Sequence, residues 1–464
     1  MAVRSRGRIV SAESVAHRRR PTGTGRAGVS SPQMASSPDE RSPSPSDRAR
    51  LLVARLRAVF ADPRRRIALV GGLAVVAVLV VGTAILASAR LGPFAVAATP
   101  EPSPTPTLTP TASASASPSA SPSPSPSPSP SPTPGNLVAE DLSGILVAPE
   151  LAHRYPIAIM LDDSVAARPQ AGLAAASIVF QAPAEGNIPR YMAIFQSGEP
   201  ESIGPERSAR LYFVRWAAEW RAVYAHHGGP PPLKAYLNGP QTDVLNMDSQ
   251  SPRFDCPQIC RVKWRSAPHN IYTDMTRLRE LALKLPATDD HLAYDPTDPA
   301  ALRPFRDAVP EAERGADGGT IQVRYSSERV AYTYDRAGNT WLRSVDGKEQ
   351  RDAGPAENPG SGTPGTGPRI APTTVVIMEV PIRRSSSIAG ALGRLEADVI
   401  GSGKAWIFLE GRVVAGTWSK ASVPGRLRFL GPDGTEVVLP RGQIFIQVLS
   451  ASIATFDYEV EAAG

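Results

Sequence analysis

The sequence predicts an α+β protein. An N-terminal α/β layered part with a mixed sheet leads into a mainly antiparallel β part, and one transmembrane helix and a disordered Pro/Ser stalk precede both. Three observations predict this. An uncharged apolar run, "IALVGGLAVVAVLVVGTAILASA", fills residues 67–89. A stretch dominated by Pro, Ser and Thr follows it. Beyond the stretch, apolar runs with strand periodicity alternate first with helical patterns and then with one another.

Residues 1–66 are rich in Ser, Pro, Gly and Arg and read as a mostly disordered basic segment. They hold fifteen Arg, no Lys and five acids (Glu13, Asp39, Glu40, Asp47, Asp62), a net of +10, whereas the 464-residue chain carries +6 and residues 67–464 therefore −4. Arg48–Phe60, "RARLLVARLRAVF", has helical spacing suited to lying on anionic lipid. No aromatic residues interleave its basic ones, so no nucleic-acid partner is expected.

A helix over 67–89 spans about 35 Å, enough for a hydrocarbon layer of ~30 Å. Arginines precede it and only Arg90 follows closely, which places the N-terminus in the cytoplasm and the rest outside. Ala87-Ser88-Ala89 resembles a cleavage site, but the preceding segment is too long for a signal peptide, and an uncleaved signal-anchor is the reading adopted. Residues 90–136 form a linker. Its core, Thr99–Pro134, favours polyproline II with a reach of up to ~110 Å, a spacer between membrane and folded region.

The first folded part, 137–318, contains "PIAIML", "SIVFQA", "RYMAIFQS" and "RAVYAHH" as strands. "QAGLAAA", "RSARLYFVRWAAEW" and "DMTRLRELALKL" read as helices. The second part, 319–464, alternates "TIQVRYS", "RVAYTYD", "TWLRS", "TVVIMEV", "KAWIFLE", "RVVAGTWS", "RLRFL", "EVVLP" and "QIFIQVL" as strands, with a flexible Gly/Pro-rich insertion at 354–368. Cys256 and Cys260, in an exported segment with few other metal ligands nearby, read as a short loop disulfide.

"RPQAGL", "AEGNIPRYMAIF", "IGPERSARLYF", "YAHHGG" and "APHNIYT", in that order, followed by "GRVVAGTWSK" and "GQIFIQV", resemble the YerB-like lipoproteins, a bacterial domain-of-unknown-function family with N- and C-terminal halves. The resemblance covers roughly Asp141 to Val448 and implies an exported, membrane-tethered envelope protein without an established activity. This chain departs from the family pattern in several places. No lipobox cysteine follows the apolar run, Asp163 stands where Asn is expected, and "GGPP" replaces a "GGS"-like form, removing a hydroxyl nucleophile.

Candidate chemistry gathers at strand ends and loops. Arg207 and Arg210 are read in the first turns of a helix opened by Gly204-Pro205, where the dipole and two guanidinium groups favour a phosphate or carboxylate. Internal pairing with Glu185 or Glu206 is the competing reading. Arg168, Arg190 and Asn270 join them as ligand-binding candidates. His226, His227 and His269 with an acid such as Asp162 or Glu185 are the catalytic candidates. Adjacent residues on a strand point to opposite faces, so His226 and His227 cannot both face one cleft, and Asp162 and Asp163 cannot either. No phosphate loop, dinucleotide fingerprint, GxSxG or metal-ligand spacing is present, and no cofactor or metal is expected. Three functions remain: an envelope protein binding an anionic ligand such as a phosphorylated or carboxylated glycan, a hydrolase or lyase of cell-wall polymer, or a structural protein with internally paired charges.

Overall fold

Strand-forming runs of Val, Ile and aromatic residues build one mixed sheet that passes through both halves of the folded region. The computed structural model describes residues 136–285, 302–354, 365–385 and 394–463, with the backbone of Arg4–Arg8. The expected membrane helix at 67–89, the stalk and residues 355–364 of the insertion lie outside them. Among the described residues no helix is long and apolar enough to cross a membrane.

The first half contributes β1 (Ile157–Asp162), β2 (Ile178–Pro183), β3 (Pro189–Phe195), β4 (Val223–His226) and β5 (Leu245–Asp248). The second contributes β6 (Thr320–Arg324), β7 (Arg329–Asp335), β8 (Thr340–Val345), β9 (Thr374–Glu379), β10 (Gly401–Leu409), β11 (Arg412–Lys420), β12 (Ile444–Leu449) and β13 (Thr455–Ala462). Their order across the sheet is β8-β7-β6-β13-β11-β10-β9-β12-β2-β3-β1-β4-β5. Arg4–Arg8 run antiparallel to β13. That pairing and a membrane crossing at 67–89 exclude each other within one molecule.

The halves meet where β2 lies parallel to β12, from Ile178 opposite Ile444 to Gln181 opposite Gln447. The parts expected as separate at 318/319 therefore share a backbone hydrogen-bond ladder. Helices are fewer and shorter than the α/β reading implies. "QAGLAAA" forms only a 3-10 turn at Leu173–Ala175. The described helices of seven or more residues are α1 (Leu211–Ala217), α2 (Pro231–Leu237) and α3 (Met275–Ala282).

Burial follows pattern. β1 and β2 are buried at every position, as strands covered on both faces must be. α1 lays Trp216 on Phe180 from one face, ring centroids 4.8 Å apart. α3 buries Met275, Leu278 and Leu281 against the other, its first turn capped by Asp274, which accepts from the Arg277 N–H at 2.8 Å. β6 and β7 alternate buried and solvent-facing residues. The second half curls on itself, since Trp341 on β8 meets Phe408 on β10 at 5.8 Å although four strands separate them in the sheet.

At the seam sits Arg343, with 0% of its surface exposed. Its guanidinium donates to Tyr332 Oη at 3.0 Å, to Gln181 Oε1 at 2.7 Å and to Gln350 Oε1, and lies 4.8 Å above the Phe445 ring. Gln181 in turn donates to Glu328 at 2.6 Å and to Asp163, and both carboxyls pair with Arg168. Burial pushes the Asp163 and Glu328 carboxyls up, for Glu328 with help from Asp163, while Arg168 and Arg343 oppose the rise. Removing the charge at the centre strips Gln181, Tyr332 and Gln350 of the cation they surround and takes away one of the two charges that oppose the rise. Arg343→Met is expected to destabilise the folded region by about 3–5 kcal/mol. The loss is measured as a lowered urea midpoint, with both halves still unfolding in a single transition.

Candidate functional site

Three neighbouring strands, β1, β4 and β5, run parallel, and β2 points the same way through antiparallel β3. Their carboxyl ends therefore lie along one edge of the sheet, the place where open sheets of this kind present ligand sites. Asp162, His226 and Asp248 end three of these strands, and Glu185 and Arg190 flank the turn between β2 and β3.

The stretch Ile203–Arg210 crosses this edge in an extended form, not as a helix. Glu206 bridges Leu161, Gly204 bridges Ala171, Ile203 bridges Thr273, and the Arg207 N–H donates to the Met160 carbonyl at 2.8 Å. Arg210 is the extended residue before α1, with φ −137° and ψ 143°. The expected pair of arginines in a first helical turn is thus corrected: tertiary backbone pairing holds the segment until Leu211. Helical spacing then gives no shared face, and the two arginines go to different partners.

Arg210 forks onto Glu185, Nε to Oε1 at 2.7 Å, and Arg190 lies 3.5 Å from the same carboxylate. Burial, and then the nearby Arg210 cation, bring Arg190 down to about 10. Burial alone would raise Glu185, but Arg210 and Arg190 hold it below the usual carboxylate range. These charges are paired internally. Arg168 is likewise committed, to Asp163, Glu328 and Asp346 at the seam.

Arg207 and His269 converge on Asp162. Arg207 Nη2 lies 2.8 Å from Asp162 Oδ2 and His269 Nδ1 2.5 Å from it. Burial would raise Asp162, but Arg207, the Ser164 N–H and His269 outweigh it and keep the group below its ordinary value. Ser164 Oγ also stands 3.2 Å from His269, on the same Nδ1 that faces Asp162. A serine–histidine–aspartate relay needs opposite ring nitrogens, so this trio is not one. Asp162 and Glu185 are both held ionised, and neither is set to donate a proton as glycoside hydrolysis requires.

The adjacent histidines face apart. His226 is fully buried between the Gly228 carbonyl and Asn246, each at 2.8 Å, and burial lowers it. His227 belongs to a directed chain that sequence reasoning missed. Arg261 Nη2 can only donate, so His227 Nε2, 3.2 Å away, accepts. Nδ1 then carries the proton to Ser249 Oγ at 2.9 Å, and that hydroxyl donates to Glu206 Oε2 at 2.5 Å. Burial, then Arg261, lowers His227. Glu206 is wholly buried, its Oε1 has no hydrogen-bond partner among the described residues, and burial raises it to about 8. Ser249 follows a strand too short to stand out in the sequence; its only signal was the Asp-Ser pair in "NMDSQS".

Opposite these groups stands a hairpin whose strands, Cys260–Arg261 and Ile271–Tyr272, are antiparallel, with Cys256 and Cys260 disulfide-bonded at its base. Asn270 accepts from Arg261 Nη1 at 2.8 Å and so orients that side chain. Among the described residues neither Arg261 nor Lys263 has a carboxylate partner. No group of three or more His, Cys, Asp or Glu among them could hold a metal ion. A described cavity of about 670 Å³ lies elsewhere, beside β5 and α2, and shares only Asp248 with this cluster.

Glu206 binds its proton in the folded state at pH values where the unfolded chain, near 4.5, has released it. Its contribution is complete below pH 4.5 and is lost as pH rises through about 8. Glu206→Gln keeps the Ser249 hydrogen bond without the titration. It should therefore gain in melting temperature relative to the parent as pH rises, by on the order of 5 °C at pH 8. Parallel melting curves across this range would contradict the assignment.

Residues 142–288 match the N-terminal domain, and residues 321–446 the C-terminal domain, of a protein of unknown function (DUF3048). The chain is 30% identical over 295 residues to YerB of Bacillus subtilis (strain 168), which is named as a lipoprotein, covering 62% of this chain and 78% of that one. It is also similar to the crystal structure of the YerB protein from Bacillus subtilis, with a TM-score of 0.56 and 26% identity over 69% of this chain and 99% of that chain. The ordered motifs, the two consecutive domains and the shared fold together mean that the chain belongs to the YerB-like family of proteins of unknown function.

Proposed function

We propose that this is a membrane-tethered, extracytoplasmic envelope protein whose folded region binds an anionic ligand at the carboxyl-end edge of β1, β4 and β5. One observation carries the reading. Arg207 and His269 pair with Asp162, Arg261 reaches the same edge through His227, and among the described residues neither Arg261 nor its hairpin neighbour Lys263 has a carboxylate partner. An unneutralised guanidinium beside a second one favours phosphate or carboxylate, which it can hold by two parallel hydrogen bonds. The membrane tether is supported by the apolar run at 67–89 and by the lipoprotein relative, and it requires that Arg4–Arg8 leave β13 in the membrane-bound chain. The stalk would carry this edge outward.

The reading differs from the sequence-based one in which arginines do the work. Arg210 and Arg190 serve Glu185, whereas Arg261 and Lys263 of the hairpin are the cations without a carboxylate partner among the described residues. The hydrolase reading loses Asp162 and Glu185 as its acid, since both are held ionised. Titration of the full-length chain in detergent with inorganic pyrophosphate tests the proposal. Saturable binding that weakens at least tenfold in Arg261→Ser/Lys263→Ser, and weakens with added salt, is the expected result. Absence of binding, or binding indifferent to both substitutions, would end it.

A further inference from the structure

The Cys260–Tyr272 hairpin presents more than charge. Trp264 at its tip is 36% exposed, whereas the other five of the chain's six tryptophans are buried. This indole belongs to neither buried cluster, so its retention in a fixed position is informative. It is fixed from below. Its ring sits 4.8 Å from that of Tyr272, and the Arg265 guanidinium lies 5.8 Å from it. Tyr272 in turn packs on Gly204, where an added Cβ would come within 2.5 Å of the ring. The Ile203–Thr273 bridge and the disulfide hold the hairpin at both sides of its base. Tyr272 Oη is buried without a hydrogen-bond partner among the described residues, next to the charges of Arg265 and Asp162.

A flat aromatic face, with Lys263 and Arg265 as its chain neighbours and Arg261 on the same hairpin, has a distinct chemical complement. Free phosphate uses the cations but not the indole. A neutral sugar uses the indole but not the cations. A sugar ring bearing a carboxylate or phosphate uses both, its apolar C–H face on the aromatic ring and its acid on the guanidinium or ammonium group.

We propose that the hairpin tip recognises an acidic glycan, with Trp264 stacking one sugar ring while Arg261 and Lys263 hold the acidic substituent. This rests on the anion-binding reading above and names the class of ligand for the same edge. Trigalacturonate and its neutral counterpart, a galactose trimer, are the probes, titrated into the full-length chain in detergent and followed by the fluorescence of the exposed tryptophan. The acidic trimer is expected to bind at least tenfold more tightly than the neutral one and to shield Trp264 from iodide quenching. Trp264→Ala is expected to lose at least tenfold in affinity for the acidic trimer with pyrophosphate binding unchanged, and Trp264→Phe to recover part of it. Retained pyrophosphate binding in both variants separates recognition from folding. If pyrophosphate binds but Trp264→Ala leaves trimer binding intact, or the neutral trimer binds equally well, the glycan assignment falls and the anion site stands. If neither anion binds, both fall together.

Discussion

The fold depends on a buried cation at the seam between its halves. Arg343 contributes a charge that water cannot reach, and the desolvation is offset only if every surrounding dipole is in place. Those dipoles come from both halves: Gln181 from β2, and Tyr332 and Gln350 from the second half. The requirement propagates. Gln350 donates to Gln170 at 3.2 Å, and Gln170 donates to the Asp162 carbonyl at 3.0 Å. Asp352 accepts the N–H groups of Leu173 and Ala174 at 3.0 and 2.8 Å, tying the second half to the same loop. The strand end that carries Asp162 is thus set by residues nearly two hundred positions away, and the candidate site inherits its geometry from the seam.

That dependence explains what could be read from the sequence and what could not. β1, β2, β3 and β4 announce themselves as runs of Ile, Val, Met and Tyr, and so do most strands of the second half. The split of Asp162 and Asp163 to opposite faces follows from strand periodicity alone: one meets Arg207 and His269, the other the buried network of Gln181. The segment Ile203–Arg210 carries no such signal. Its residues are compatible with a helix, and what prevents one is backbone pairing to Leu161, Ala171 and Thr273, a tertiary effect that propensity cannot register. His269 reaches Asp162 across 107 positions, and the Arg261–His227–Ser249–Glu206 chain likewise joins separate loops and strand ends. The basic run "RVKWR" carries no positional signal of its own; its place at the sheet edge comes from the hairpin's pairing and packing.

The charges also sort themselves by purpose. Glu185 with Arg210 and Arg190, and Arg168 with Asp163 and Glu328, are closed sets in which cations and carboxylates satisfy one another. Such sets specify geometry and add little net attraction for a visitor. At the edge that carries Asp162 the count among the described residues is uneven, since Arg261 and Lys263 have no carboxylate partner there. An uneven count at a strand-end edge is difficult to attribute to folding, because like charges gathered without partners oppose the folded state.

The hairpin sharpens this point. A short disulfide loop, a two-residue ladder at its stem and Tyr272 packed on Gly204 leave little freedom at Trp264. Ile259 and Ile271 anchor the hairpin in the core beside α3, but Trp264 at the tip belongs to no buried cluster. Its rigidity lowers the ordering cost of binding, since an aromatic side chain fixed in advance loses less entropy when a partner arrives. A fixed aromatic, cations without a carboxylate partner and a buried hydroxyl without a hydrogen-bond partner, among the described residues, are separate features with separate structural causes. Their meeting at one edge is what folding alone leaves unexplained and what a partner with both a ring face and an acid would explain.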